Sequence, residues 1–196
     1  ESELDIKGTF FVHLSSAFYN PLSPKFLSLF REIRDLGHSI GLHHEATIYP
    51  DHQNLNSLME NIDRERAVLE KALSVEIKVV SFHNPTEFVR NLDLSAHGII
   101  NTYAPQYYNS AIKYVADSNM KWRDGYILDV ADGKCPVQCL VHPGHWDGME
   151  KGLFMDRILE ALRNQVVSGL DLMEECNYFW QEHIECWKDQ QGHDAQ

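Results

Sequence analysis

Histidine side chains mark the ends of three strand-like segments of this chain. His43 ends the sequence HSIGLH, His83 directly follows IKVVSF, and His142 ends VQCLVH. A neutral imidazole is a good ligand for zinc and related metals, and it also transfers protons near neutral pH. Eleven histidines scattered at random would rarely fall in this pattern. The placement therefore predicts a metal site or an acid–base site built from strand ends.

Carboxylate and aromatic side chains accompany these histidines. Glu45 lies two residues after His43, and Asp117 follows the strand-like segment IKYVA. A carboxylate at such a position binds metal or holds a histidine in one tautomer. Structural alternatives stay open, because His43 and His83 could serve only a turn and Asp117 could cap one. The side chains predicted to contact a substrate are His44, Glu45, Trp122, Arg123 and Trp146.

The segments that must position these residues alternate between strand-like and helix-like patterns. Such alternation predicts an α/β fold with a mainly parallel sheet and helices outside it. A barrel and an open doubly wound sheet both satisfy the pattern, and both gather chemistry at the carboxyl ends of the strands. Predicted strands cover residues 6–14, 38–43, 77–82, 112–116 and 137–142, and predicted helices cover 22–36, 55–73 (capped by Asn54) and 153–187.

Composition narrows the class of protein. The 196 residues fit one domain, residues 1–196, and 43% of them are hydrophobic, which is ordinary for a packed globular chain. A net charge of −12 argues against nucleic-acid binding, because Lys and Arg supply the affinity for phosphates. No apolar run is long enough to cross a bilayer. The predicted partners are therefore small molecules or proteins.

The four cysteines predict a reducing compartment. Their spacing does not match that of a zinc ribbon, and disulfides are rare in the cytosol. We therefore expect a cytoplasmic location with unbonded, mostly buried thiols at Cys135, Cys139, Cys176 and Cys186.

Five segments in order resemble the polysaccharide deacetylase family, carbohydrate esterase family 4. More closely, they are similar to the divergent members encoded in bacterial surface-polysaccharide (O-antigen, lipopolysaccharide) gene clusters. The resemblance covers residues 1–146, and the order of the segments carries it more than any single one. The segments are TFFV from Thr9, GHSIGLH from Gly37, SFHNP from Ser81, Asp117-Ser118 followed by Trp122-Arg123, and LVHP from Leu140.

The resemblance implies a distorted TIM-like (β/α) barrel of about seven strands and removal of acetyl groups from a sugar. It also implies a divalent metal, usually zinc, that polarises the acetyl carbonyl and activates water. Carried over by position, His43 is a metal ligand and His142 is the general acid. Asp117 and Trp122 fall in the motif that orients the catalytic base and lines the carbohydrate pocket.

Three departures from the family pattern qualify these expectations. The paired aspartates of the family lie on a strand that would precede Glu1, so we expect the first strand to be missing here. Thr47 stands where the family has its second metal histidine, and His83 stands where it has an arginine. Our hypothesis is that His83 supplies the ligand that Thr47 cannot.

Other interpretations follow from the same departures. A catalytically inactive barrel that binds carbohydrate or a protein partner is the main alternative. A different metal hydrolase on a similar barrel is another. If the chain begins at Glu1, an open seam remains between its first and last strands, and a second chain in an oligomer would cover that edge.

Overall fold

The computed structural model describes residues 6–108, 112–118, 121–122, 135–143, 159–160, 162–164 and 166–167. The chain divides into two compact units, Glu1–His142 and Pro143–Gln196. In the second unit, residues 159–160, 162–164 and 166–167 are helical, and the rest of the helix predicted for 153–187 lies outside the described residues. Within the described ranges, no helix combines the length and apolar character needed to cross a membrane.

Parallel strands form two sheets in the first unit. The main sheet has the strand order β1-β2-β3-β4, and β5 pairs with β6 in a second sheet. The alternation of the sequence therefore predicted the α/β class and the parallel pairing correctly. The strands are β1 (Thr9–Val12), β2 (Ser39–His44), β3 (Val79–Phe82), β4 (Ile100–Asn101), β5 (Lys113–Ala116) and β6 (Val137–Leu140).

Two long helices lie where the apolar stripes predicted them. The side chain of Asn54 accepts hydrogen bonds from the backbone N–H groups of Asn56 and Ser57, which confirms it as the cap of α2. Gly37 has a φ of 86°, a left-handed conformation that ends α1. The helices are α1 (Pro24–Asp35), α2 (Leu55–Leu73), α3 (Glu87–Arg90) and α4 (Pro105–Tyr108), with 3-10 turns at Ala46–Ile48 and Ser95–His97.

Several predicted features differ from the structure. β1 ends at Val12, so His13 lies beyond the strand, whereas residues 6–14 were predicted as one strand. β4 was not predicted, because two residues are too few to produce a periodic pattern. The prediction of mostly buried thiols is wrong for Cys135 and Cys139, which are free and exposed. Both lie at or in β6, which among the described strands pairs only with β5. Cys176 and Cys186 lie outside the described residues.

Alternate residues of the main sheet face opposite sides, as the period of a strand requires. On one side, Val12, Leu42 and Val80 are fully buried in an apolar core that includes residues of α1 and α2. On the other side lies a cavity of about 210 Å³. Residues of both sheets line this cavity, among them Thr9, Phe11, Ser81, Tyr114, Gln138 and Leu140.

Gly41 allows β1 and β2 to pack closely on the cavity side. A Cβ atom at this position would lie 2.7 Å from two carbons of the Phe11 ring. We therefore expect Gly41→Ala to lower the free energy of unfolding by about 1–3 kcal/mol, the usual cost of overpacking. Urea unfolding measures the change.

Combining Gly41→Ala with Phe11→Leu provides the control. The smaller Leu side chain should relieve the clash, so the double variant should be more stable than the sum of the two single effects predicts, by about 0.5–3 kcal/mol. If the losses in unfolding free energy of the two single variants simply add, the new Cβ at position 41 does not clash directly with the Phe11 ring.

Candidate functional site

Three histidine rings meet at the carboxyl end of the main sheet. His13 follows β1, His43 is the next-to-last residue of β2, and His83 follows β3. The ring centroids are 5.6 Å apart for His13 and His43, 4.9 Å for His13 and His83, and 5.2 Å for His43 and His83. The Nε2 atom of His43 lies 3.2 Å from Nδ1 of His83. We call these three residues the histidine cluster.

The period of the strands explains why the three rings share one side. Phe11, which lines the cavity, precedes His13 by two residues, and Ser81 stands in the same relation to His83. Residues two apart on a strand face the same way, so each histidine continues the cavity-facing side of its strand. The parallel register places His43 beside Ser81, and the backbone N–H of His83 donates to the carbonyl of His44 at 2.8 Å.

Glu45 brings a carboxylate to the histidine cluster. It follows β2 directly and is only 8% exposed. Its Oε2 atom lies 3.5 Å from Nε2 of His83, and its Oε1 atom accepts a hydrogen bond from the Thr47 hydroxyl. Glu45 was predicted to bind substrate, and the structure brings it together with His43 and His83.

Burial opposes the protonation of two rings of the histidine cluster, those of His43 and His13. Burial is the largest cause, and together with the positive charge that His83, His13 and His142 can carry it lowers the pKa of His43 to about 3. The pKa of His13 is also lowered, first by burial and then by His83. A neutral imidazole is the form that binds a metal. Nδ1 of His43 and Nε2 of His13 are buried and have no hydrogen-bond partner among the described residues.

Asp117 and His142 form a second pair at the ends of β5 and β6. Nδ1 of His142 lies 2.6 Å from Oδ1 of Asp117, and the backbone N–H of His142 donates to both carboxylate oxygens, at 2.9 and 3.1 Å. Asp117 is 3% exposed, whereas the His142 side chain is 47% exposed. The structure thus gives Asp117 the histidine-orienting contact that its position suggested. His142 is also close enough to His43 to oppose its protonation.

His44 lies on the opposite side of β2 from the histidine cluster. It is completely buried, and its Nδ1 atom is 2.8 Å from Oε2 of Glu65 on α2. The Tyr49 hydroxyl donates to the other Glu65 oxygen at 2.6 Å, and the His44 and Tyr49 rings stack. His44 was predicted to bind substrate, but the structure places it in the core with Glu65 and Tyr49, a group we call the buried triad.

Three other residues, Trp122, Arg123 and Trp146, were also predicted to contact a substrate. Trp122 is half-buried. Arg123 and Trp146 lie outside the described residues.

Sequence reasoning missed His13, Glu65 and Tyr49. The signal for His13 was its place two residues after Phe11, on the side of β1 that later proved to face the cavity. Glu65 stood out within the apolar stripe of α2, between Ile62 and Leu69. A carboxylate in such a stripe indicates a buried polar partner, since an unpaired buried charge is very costly.

The histidine cluster suits part of a metal site. Two ligands bound at about 2.0–2.1 Å to one tetrahedral zinc lie roughly 3.3 Å apart, and the nitrogens of His43 and His83 are separated by 3.2 Å. The same separation also suits an N–H···N hydrogen bond between the rings. Over the described ranges, no group of three or more His, Cys, Asp or Glu side chains is arranged to hold a metal ion. A metal bound at this pair would take two ligands from it and would require others.

No protein-family model, curated protein or solved structure matches this chain. The geometry of the site and the five sequence segments are therefore the features of this chain that bear on its function. Of the residues in those segments, His43 contacts His83, which departs from the family pattern, and Asp117 contacts His142.

Proposed function

We propose that this protein is a metal-dependent hydrolase that removes acetyl groups from a sugar of a surface polysaccharide or its precursor. The observation that carries the proposal is the 3.2 Å approach of His43 Nε2 and His83 Nδ1 at the strand ends. The supported imidazole of His142 at neighbouring strand ends adds a candidate proton donor. Metal ligands and a general acid are two of the components that acetyl hydrolysis by this route requires.

The proposed scaffold is a distorted TIM-like barrel. Its support is that residues of both parallel sheets, from β1, β3, β5 and β6, line one cavity. In such barrels the interior is filled by side chains and the chemistry lies at the carboxyl ends of the strands. The histidine cluster and the Asp117–His142 pair both lie at such ends.

His43 and His83 would hold the metal, for which zinc is the first candidate. When bound, the metal would polarise the acetyl carbonyl and lower the pKa of a water molecule. Burial keeps His43 in the neutral form that can donate a lone pair. Two nitrogens do not complete a zinc site, so the metal would need further ligands.

His142 is proposed to donate a proton to the leaving group. Asp117 faces Nδ1 of the ring, which directs Nε2 away from the carboxylate and towards solvent or substrate. About half of the His142 side chain is exposed, so a bound sugar can reach it. Trp122 is proposed to line the carbohydrate site, and the roles expected for Arg123 and Trp146 stay predictions from the sequence.

Zinc content tests this function. The full-length protein, dialysed after exposure to zinc, should retain about one ion per chain by elemental analysis. His43→Ala and His83→Ala should each lose it, because each removes one nitrogen of the pair. His97→Ala is the matched control, since His97 is exposed in a 3-10 turn, and it should keep the metal.

Acetate release from acetylated sugars completes the test. We expect activity in the zinc-loaded protein and its loss in His43→Ala and His83→Ala. Retention of zinc by both variants would contradict the proposed ligands. A protein that takes up no zinc but binds acetylated sugars without releasing acetate would instead fit a catalytically inactive barrel.

A further inference from the structure

Glu45 lies beside His83 because of the register of the main sheet. β2 and β3 pair with His44 opposite Phe82, so the next residues along the two chains, Glu45 and His83, are neighbours. The Glu45 carboxylate is nearly inaccessible to solvent, and its Oε2 atom is 3.5 Å from Nε2 of His83. This leaves little of Glu45 for contact with a substrate.

Thr47 holds the Glu45 carboxylate in this place. Its hydroxyl donates to Oε1, the oxygen that does not face His83. A buried carboxylate requires such partners, because losing water without replacing its hydrogen bonds is costly. Thr47 also stands at the position where the polysaccharide deacetylase family, which this sequence resembles, has its second metal histidine. In this chain that position contacts Glu45, which in turn faces His83.

The two nitrogens of His83 therefore face different surroundings. Nε2 faces a carboxylate, whereas Nδ1 faces Nε2 of His43. A neutral imidazole carries one proton, and a carboxylate next to one nitrogen favours the tautomer with the proton there. The lone pair of His83 is then on Nδ1, directed at His43. At 3.5 Å this preference comes from charge rather than from a short hydrogen bond.

We propose that Glu45, held by Thr47, is a positioning residue that fixes His83 in the Nε2–H tautomer with its Nδ1 lone pair facing His43. The effect on metal binding rests on the proposed function, but the tautomer itself does not. Carboxylates in this relation to ligating histidines set the ring orientation, and their loss commonly lowers metal affinity by about 10- to 100-fold.

The tautomer is measured on the metal-free full-length protein by long-range proton–nitrogen NMR of ¹⁵N-labelled histidine, with His83→Ala assigning the ring. We expect His83 mainly as the Nε2–H form in the wild type. Glu45→Gln should shift it towards a mixture of tautomers, because the neutral amide removes the charge. Thr47→Val should shift it partly, whereas Thr47→Ser, which keeps the hydroxyl, should retain the wild-type form.

Zinc affinity is the second measurement. Glu45→Gln should bind zinc about 10- to 100-fold more weakly than the wild type. Glu87, an exposed carboxylate four residues after His83, provides the control, and Glu87→Gln should bind zinc as the wild type does. An Nε2–H form that persists in both Glu45→Gln and Thr47→Val would overturn the positioning role even if zinc binds. Absence of zinc binding in the wild type would contradict the proposed function, while the tautomer measurement would still decide the role of Glu45. Should Glu45→Gln fail to fold, the Thr47→Val and Thr47→Ser pair decides alone.

Discussion

Glu65→Ala is expected to lower the free energy of unfolding by about 2–4 kcal/mol, because two polar groups lose their hydrogen-bond partner and one of them is fully buried. Glu65 is 3% exposed and binds both other members of the buried triad. Its loss would leave Nδ1 of the buried His44 ring, and the hydroxyl of the half-buried Tyr49, without the oxygens they now contact. Each buried polar group without a partner costs about 1–3 kcal/mol.

Urea unfolding followed by circular dichroism measures this loss. Glu60→Ala is the matched control, because Glu60 is exposed on the same helix, and its effect should stay within about 0.5 kcal/mol. Glu65→Gln keeps the volume and one acceptor oxygen, so it should fall between the two. A midpoint for Glu65→Ala equal to that of Glu60→Ala would show that the buried triad does not stabilise the fold.

The ionisation of Tyr49 gives an independent measure of the same contacts. Burial, the hydrogen bond to Glu65 and the Glu65 charge together raise the pKa of Tyr49 to about 12. Burial is the largest of these causes and survives the substitution. Glu65→Gln should therefore lower the pKa of Tyr49 towards its ordinary value of 10.0 without reaching it.

His43 and His44 are consecutive in β2 and therefore face opposite sides of the sheet. His43 faces the histidine cluster, whereas His44 faces α2 and Glu65. The sequence HHE carries no sign of which histidine faces which side, because both orientations satisfy the same alternation. A shift of one residue in the register would exchange them. The apolar residues Ile40 and Leu42, buried on the helix side, determine the orientation.

Local patterns predicted the elements that are long or clearly capped. Helix α2 was identified because nineteen residues carry an apolar stripe and Asn54 caps it. Strands β1 and β3 were predicted because each has a run of β-branched or aromatic residues, and β2 because its segment is short and apolar. Residues 87–108 contain only short elements, of four residues or fewer, and none of these is long enough to show a period.

Contacts between distant residues were beyond the reach of sequence patterns. Glu65 pairs with a histidine 21 positions earlier, and this pairing depends on how α2 packs on β2. The approach of His43 and His83, 40 positions apart, was proposed because both stand at strand ends. His13 was missed because it was predicted to lie inside a strand covering residues 6–14, whereas β1 ends one residue before it.

Asp117→Asn is expected to reduce acetyl hydrolysis by about 10²- to 10⁴-fold, the usual contribution of general acid–base catalysis. Asp117 accepts from the backbone N–H of His142 and faces Nδ1 of the same ring at 2.6 Å. The amide carries no charge, and its NH2 group is a donor where the second carboxylate oxygen now accepts, so it faces the backbone N–H or the ring less favourably. The ring would then rotate or take the opposite tautomer, which misplaces its Nε2 proton.

Comparison with His142→Ala separates this role from a general loss of stability. If Asp117 acts only through His142, the double variant should be no slower than His142→Ala alone, because residues that act as a unit are not additive. Acetate-release rates measure this, with urea unfolding to establish that each variant is folded. Asp63→Asn, exposed on α2, is the control and should keep the wild-type rate. Effects that multiply in the double variant would mean that Asp117 contributes to catalysis independently of the His142 ring.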